Sequence, residues 1–341
     1  MTLEEKFLKI KQDTFSLTFN PLLSCFDQNK LSIIDNEEVN DSFLAERKKN
    51  ILNLVKDIKI NFDSKLISAY DEYSEAMTYL KLKSKFDKVT KIHETKSKTP
   101  DFKIEFTSNH NDQSKDCVVF AELKSLSFSA GNINYKNTMD QASESQIAIE
   151  KQIKSGKNIC FGVTSVQPFN KNNNNYDHTS IKDVIQIIIE KIDQNIKKDQ
   201  FSQGNTILII DLKQLQLPFS FIEGGVPVFQ EKQYNSIVSG IQWNVSFGKA
   251  GHLIYKPIEF EGEENIEGEL ERDGILLKRD WIKAIVFLVY SFSEEEPKIT
   301  GLNKKGLIND CVEEFLHRLC DFRNDDKNSN GWELSLLESK G

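Results

Sequence analysis

With 341 residues, a formal net charge of -8 and 38% apolar content, the chain has the composition of an ordinary globular protein long enough to bury a substantial core. No window approaches the roughly 20 consecutive apolar residues of a membrane span, and Met1-Thr2-Leu3-Glu4-Glu5-Lys6 lacks a basic start leading into an apolar stretch, so a soluble, cytoplasmic protein is expected. The acidic balance excludes indiscriminate electrostatic capture of nucleic acid, although seven lysines crowd Lys81 to Lys98 while eight acids crowd Glu259 to Asp273.

Residues 1 to 60 read as helical, with apolar residues at helical spacing from Phe43 to Ile60. A second helix is expected from Ser64 to about Phe86, where Ile67, Tyr70, Tyr73, Met77 and Leu80 form one stripe flanked by Glu72 and Glu75. Val89 to His93 reads as a short strand.

The central feature is a hairpin between Thr99 and Lys124. Phe102, Ile104 and Phe106 alternate with Lys103 and Glu105, the pattern of a half-buried strand opening at Asp101. The polar run Thr107 to Asp116 is expected to turn the chain, and Cys117 to Lys124 is apolar until Glu122 and Lys124. Those two charges share one face because strand side chains repeat every two residues. Charges on a mostly buried strand are paired, near solvent or bound to a metal, because isolated burial is costly.

After a loop from Ser125 to Asn137, Thr138-Met139-Asp140-Gln141 has capping-box spacing for a helix ending near Ser155-Gly156, with Ala142, Gln146, Ile149 and Ile153 on one stripe. Asn158 to Val166 reads as a buried strand and the asparagine-rich run Asn170 to Asn175 as a loop. Ser180 to Lys197 carries a strong amphipathic pattern, and Thr206 to Leu212 has the continuous apolar run of a central strand. Glycines and prolines break residues 213 to 280 into short β-leaning pieces. Trp281 to Phe292 then reads as a further buried strand and Leu307 to Phe322 as a closing helix. The alternation implies an α/β fold with a mixed sheet flanked by helices. It divides into a helical support region (1–63), a core (64–215) and a β-rich C-terminal elaboration (216–341) packed on the same domain.

The five cysteines are scattered and odd in number, which favours reduced thiols over a disulfide framework or a structural zinc site. The five histidines have no metal-ligand spacing, and no nucleophile elbow or Walker-type loop is present. His93 and His110 read as loop residues.

Glu-x-Lys occurs six times, but only Glu122-Leu123-Lys124 closes an apolar strand, and the sole Pro-Asp, Pro100-Asp101, opens the strand before it. In that context the pair resembles the PD-(D/E)xK nuclease superfamily over roughly Ser64 to Leu212. The resemblance implies a restriction-endonuclease-like sheet with Asp101 and Glu122 as ligands of Mg²⁺ or Mn²⁺ and the Leu123 carbonyl completing the shell. Lys124 would be the catalytic residue beside the attacking water. It further implies an acid from the preceding helix, Glu75 or alternatively Glu72, and a supporting glutamine, Gln146 or Gln141. Lys96 and Lys98, ahead of Pro100, would meet the nucleic-acid backbone.

The function so implied is a divalent-metal-dependent nuclease, an endonuclease acting on DNA, in restriction or antiphage defence, with room for a homodimer or a protein partner. Three other readings stand beside it: a non-catalytic nucleic-acid- or protein-binding module on the same fold, a surface ion pair between Glu122 and Lys124 beside an incidental Asp101, and an unrelated α/β enzyme.

Overall fold

In a computed structural model, residues 1–13, 21–58, 63–93, 98–110, 113–127, 135–162, 180–215, 231–233, 236–258, 262–290 and 296–328 are described. The N-terminal region forms α1 (Leu3–Asp13), α2 (Pro21–Ser24), α3 (Gln28–Glu37) and α4 (Ser42–Leu54), followed by the long α5 (Asp63–Lys83). Side-chain caps fix three of these starts: Thr2 accepts from Glu5 N, Asp27 accepts from Lys30 N, and Asp41 accepts from Phe43 N and Leu44 N. Such caps satisfy N–H groups that the helix itself leaves unpaired.

Strands β1 (Lys88–Lys91), β2 (Phe102–His110) and β3 (Gln113–Ser125) form an antiparallel meander. Thr107 to Asp116, expected as the turn, instead extends both strands, with Thr107 opposite Asp116 and His110 opposite Gln113. Polarity there marks an edge outside the core rather than an end of pairing. Helices α6 (Tyr135–Lys154) and α7 (Ile181–Asn195) precede β4 (Thr206–Asp211), which joins β3 in parallel. Beyond it lie β5 (Glu231–Gln233), β6 (Ser236–Val238), α8 (Ile241–Phe247), β7 (Leu253–Tyr255), β8 (Ile266–Glu269) and α9 (Ile275–Lys278). The chain closes with β9 (Ala284–Val289), β10 (Lys298–Asn303), α10 (Asp310–Leu319) and β11 (Phe322–Asp325).

Seven strands form one mixed sheet in the order β1-β2-β3-β4-β9-β10-β11. Residues 216–341 therefore supply three strands to the sheet begun by the meander. The sheet separates two cores. On one face Phe102, Ile104, Val119, Ala121, Ile207 and Val286 pack with the N-terminal helices, α5 and α10. On the other, Leu208, Ile210, Ile285 and Phe287 pack with the isoleucine face of α7. β4 and β9 are buried along their whole length, as strands covered on both faces must be. Between α5 and the sheet, the fully buried Asp211 accepts from Tyr70 Oη at 2.9 Å, Ser74 Oγ at 2.5 Å and Lys213 N at 2.9 Å. Burial pushes its carboxyl above the ordinary range.

Three further expectations are corrected. Residues 158–162 form no strand, and Ile159 and Phe161 are 81% and 72% exposed; the rest of that segment, 163–166, lies outside the described residues. Apolar composition marked a strand there, but among the described residues no strand pairs with it. Helix α6 begins at Tyr135, which places Thr138 inside it rather than at its cap, and Ile153 on its presumed inner stripe is 60% exposed. Finally, Cys117 on β3 and Cys311 on α10 form a buried disulfide across a sequence separation of 194, leaving Cys25, Cys160 and Cys320 as thiols. Scattered spacing cannot reveal such a pair, because it is the docking of α10 on β3 that creates the proximity. Among the described residues no helix is long and apolar enough to cross a membrane.

Candidate metal-binding carboxylate site

The meander sets the geometry. Phe102 pairs with Ala121, and Asp101, in the bend just before β2, lies beside the Glu122–Leu123 end of β3, where its Oδ2 accepts from Leu123 N. Ala121 and Leu123 belong to the core on the α5 side. Alternation sends Glu122 and Lys124 to the other face, at the margin of the layer made by α7. Farther out on that face Lys88 and Lys103 both pair with Glu105, at 3.0 and 2.8 Å.

Asp101 is tied down at both oxygens. Oδ2 accepts from Leu123 N at 2.8 Å, locking the Pro-Asp corner onto β3, while Oδ1 accepts from Lys91 Nζ at 2.8 Å. Lys91 also pairs with Glu75 Oε1, and its ammonium lies 5.2 Å from the centre of the Phe102 ring. Glu75 reaches Arg47 with its other oxygen at 2.5 Å. One ammonium thus bridges the helix acid and the strand acid. Burial pulls the Lys91 pKa down, but the charges of Asp101 and Glu75 outweigh it and hold the group above its ordinary value.

Glu122 is almost wholly buried, at 1% exposure. Its Oε1 lies 2.6 Å from Lys124 Nζ and accepts from Gln200 Nε2. Gln200 sits in a short turn, Lys198–Phe201, just before β4, and its own Oε1 accepts from Lys197 N at 2.7 Å. That bond orients the amide so its NH₂ faces Glu122. The second carboxylate oxygen, Oε2, is buried with no hydrogen-bond partner among the described residues. Burial, with the Asp101 charge adding to it, raises the Glu122 carboxyl to about 8, against the opposing pull of Lys124.

The fold therefore gathers Asp101, Glu122, Leu123 and Lys124, and joins Glu75 to them through Lys91. Glu72 takes a side position, 3.0 Å from Arg47 and 2.9 Å from Asn50. Gln146 is not brought in: it is exposed on α6 and donates to Glu150 at 3.4 Å. The side chain of Gln141 and all of Lys96 lie outside the described residues, and Lys98 is exposed just ahead of Pro100. Sequence reasoning missed Lys91, Arg47 and Gln200. Lys91 looked like one more member of a basic run, whereas a glutamine five residues after a helix end, ahead of a buried strand, had no local signal.

Among the described residues no group of three or more His, Cys, Asp or Glu side chains is close enough to form a metal cage. Two carboxylates and a carbonyl remain a fitting donor set for Mg²⁺, a hard ion that keeps several of its waters. An unpartnered Glu122 oxygen is the feature that a bound cation would explain, since burying such an atom without a partner is costly. No protein-family model, no curated protein and no solved structure matches the chain.

Proposed function

We propose that the protein is a divalent-metal-dependent nuclease with a restriction-endonuclease-like core, hydrolysing phosphodiester bonds in DNA. The observation that carries this reading is that Asp101 bonds the β3 backbone at Leu123, between Glu122 and Lys124, which pair with each other, while one Glu122 oxygen has no hydrogen-bond partner among the described residues. The element order supports it: a helix, an antiparallel meander, further helix, and a strand parallel to β3, in the sequence that the PD-(D/E)xK resemblance implies.

Asp101, Glu122 and the Leu123 carbonyl are the groups that would hold Mg²⁺ or Mn²⁺. The chemistry such an ion supplies is Lewis-acid polarisation of a phosphoryl oxygen and a lowered pKa for water. Lys124, 2.6 Å from Glu122 Oε1, would oppose the negative charge that develops at phosphorus. Gln200 fixes the carboxylate plane of Glu122, and Lys91 holds Asp101 and Glu75 in place. A role in restriction or antiphage defence is analogy from the fold alone.

A second reading has one observation in its favour. Lys91 already pairs with both Asp101 and Glu75, and Arg47 with Glu75, as a non-catalytic scaffold would do to keep two acids stable without an ion. Incubation with supercoiled plasmid, linear duplex and single strands in Mg²⁺, Mn²⁺ or EDTA separates the two. Metal-dependent cleavage lost in Glu122→Gln and Lys124→Ala supports the nuclease. Binding without cleavage under every condition supports the scaffold and refutes the enzyme.

A further inference from the structure

On the opposite side of α5 from Lys91, a cavity of about 270 Å³ lies between α3, α5 and the sheet. Ile33, Met77, Leu80, Ile209, Leu288 and Tyr290 give it an apolar wall. At about 30 Å³ per water-sized group, it holds roughly nine such groups, the bulk of a medium-chain acyl tail.

Two observations define what would enter. Thr78, 5% exposed, lines the cavity with its hydroxyl lacking a hydrogen-bond partner among the described residues. Such a group is ready to donate to an oxygen. Among the described residues the lining also includes three ammonium groups, Lys30, Lys81 and Lys213, against one carboxylate, Glu296. That carboxylate is shared by Lys30 and Lys81, the latter at 3.5 Å, so the local balance favours an incoming anion and disfavours a cation.

We propose that this cavity binds a small amphipathic anion, a carboxylate or phosphate head on an apolar body of about ten carbons, with the head among the lysines and the tail against the sheet. The site is separate from the carboxylate cluster and does not depend on the nuclease reading.

Titration calorimetry of the full chain with decanoate, decyl phosphate, decanol and decylamine, each below its micelle-forming concentration, tests it. Decanoate or decyl phosphate should bind with one-to-one stoichiometry at least about tenfold more tightly than decanol, with no binding by decylamine; the stronger of the two anions identifies the head group. Lys81→Glu, on a third-exposed side chain whose replacement leaves the core intact, should weaken the anion about tenfold and leave decanol unchanged. Met77→Trp, which fills the space, should remove both. Equal binding of decylamine and decanoate, an anion affinity unmoved by Lys81→Glu, or no binding by either anion would overturn the proposal.

Discussion

Replacing Glu122 by glutamine should change how stability depends on pH, in a direction and by an amount that follow from its burial. In the folded protein the carboxyl is raised from an ordinary 4.5 to about 8, so between those values the native state holds a proton that the unfolded chain has released. Stability then falls as pH rises through this window and levels off above it. At about 1.4 kcal/mol per pH unit, the loss attributable to this one group between about pH 5 and about pH 8.5 is about 4 kcal/mol. Glu122→Gln keeps an oxygen to accept from Gln200 but has no proton to lose. Urea unfolding of both proteins without divalent ions, across that range, gives a difference from which Asp211, Lys91 and every other shared titration cancels. The wild type should lose about 4 kcal/mol more than the variant as pH rises. Parallel curves, agreeing within about 1 kcal/mol, would show that Glu122 is ionised and solvated throughout, which would refute the buried geometry described here.

Three further outcomes are expected. Lys91→Met removes the cation shared by Asp101 and Glu75, and should cost about 3–5 kcal/mol in EDTA, with most of it recovered in Mg²⁺; no loss in EDTA would contradict the paired arrangement, and equal stability of the variant with and without the ion would contradict the metal site. Reducing the Cys117–Cys311 disulfide, which spans a separation of 194 residues, should lower stability by up to about 5 kcal/mol in a chain-entropy account, and Cys117→Ala with Cys311→Ala should make unfolding insensitive to reductant. Gly274→Ala places a methyl carbon 2.6 Å from the Ser246 carbonyl carbon and 2.7 Å from Phe247 N, both backbone atoms, and should cost about 1–3 kcal/mol by thermal unfolding. By contrast Gly156, at φ +78° with nothing near it, should show only the smaller cost, about 1 kcal/mol, of a strained backbone.

The elements that were legible in the sequence are those whose burial is set locally. Helix α7 carries isoleucines at 181, 185, 188, 189 and 192 on its buried side, and β4 is apolar from Ile207 through Ile210; periodicity needs no knowledge of partners to find either. That Glu122 and Lys124 share a face was readable because alternation along one strand fixes it, and the two do pair. What failed depended on contacts from far along the chain. β10 and β11 are short and carry polar residues among the apolar ones, so only their place in the sheet beside β9 identifies them. Gln200 reaches Glu122 across 78 residues, and Gln146 looked equally suitable by composition. The exposed Ile159 and Phe161 show the reverse error, in which apolar content without a packing partner was taken for a strand.

Binding of Mn²⁺ to the full chain, followed by calorimetry or electron paramagnetic resonance, tests the central claim without requiring the right polymer. One ion should bind, with affinity rising and close to one proton released per ion near neutral pH, because Glu122 must ionise to receive it. Asp101→Asn and Glu122→Gln should each abolish that binding, whereas Gln146→Ala should leave it unchanged. Ion binding untouched by either carboxylate substitution, or no binding by the wild type at any pH between about 6 and 9, would contradict the assignment of these two side chains to one metal site.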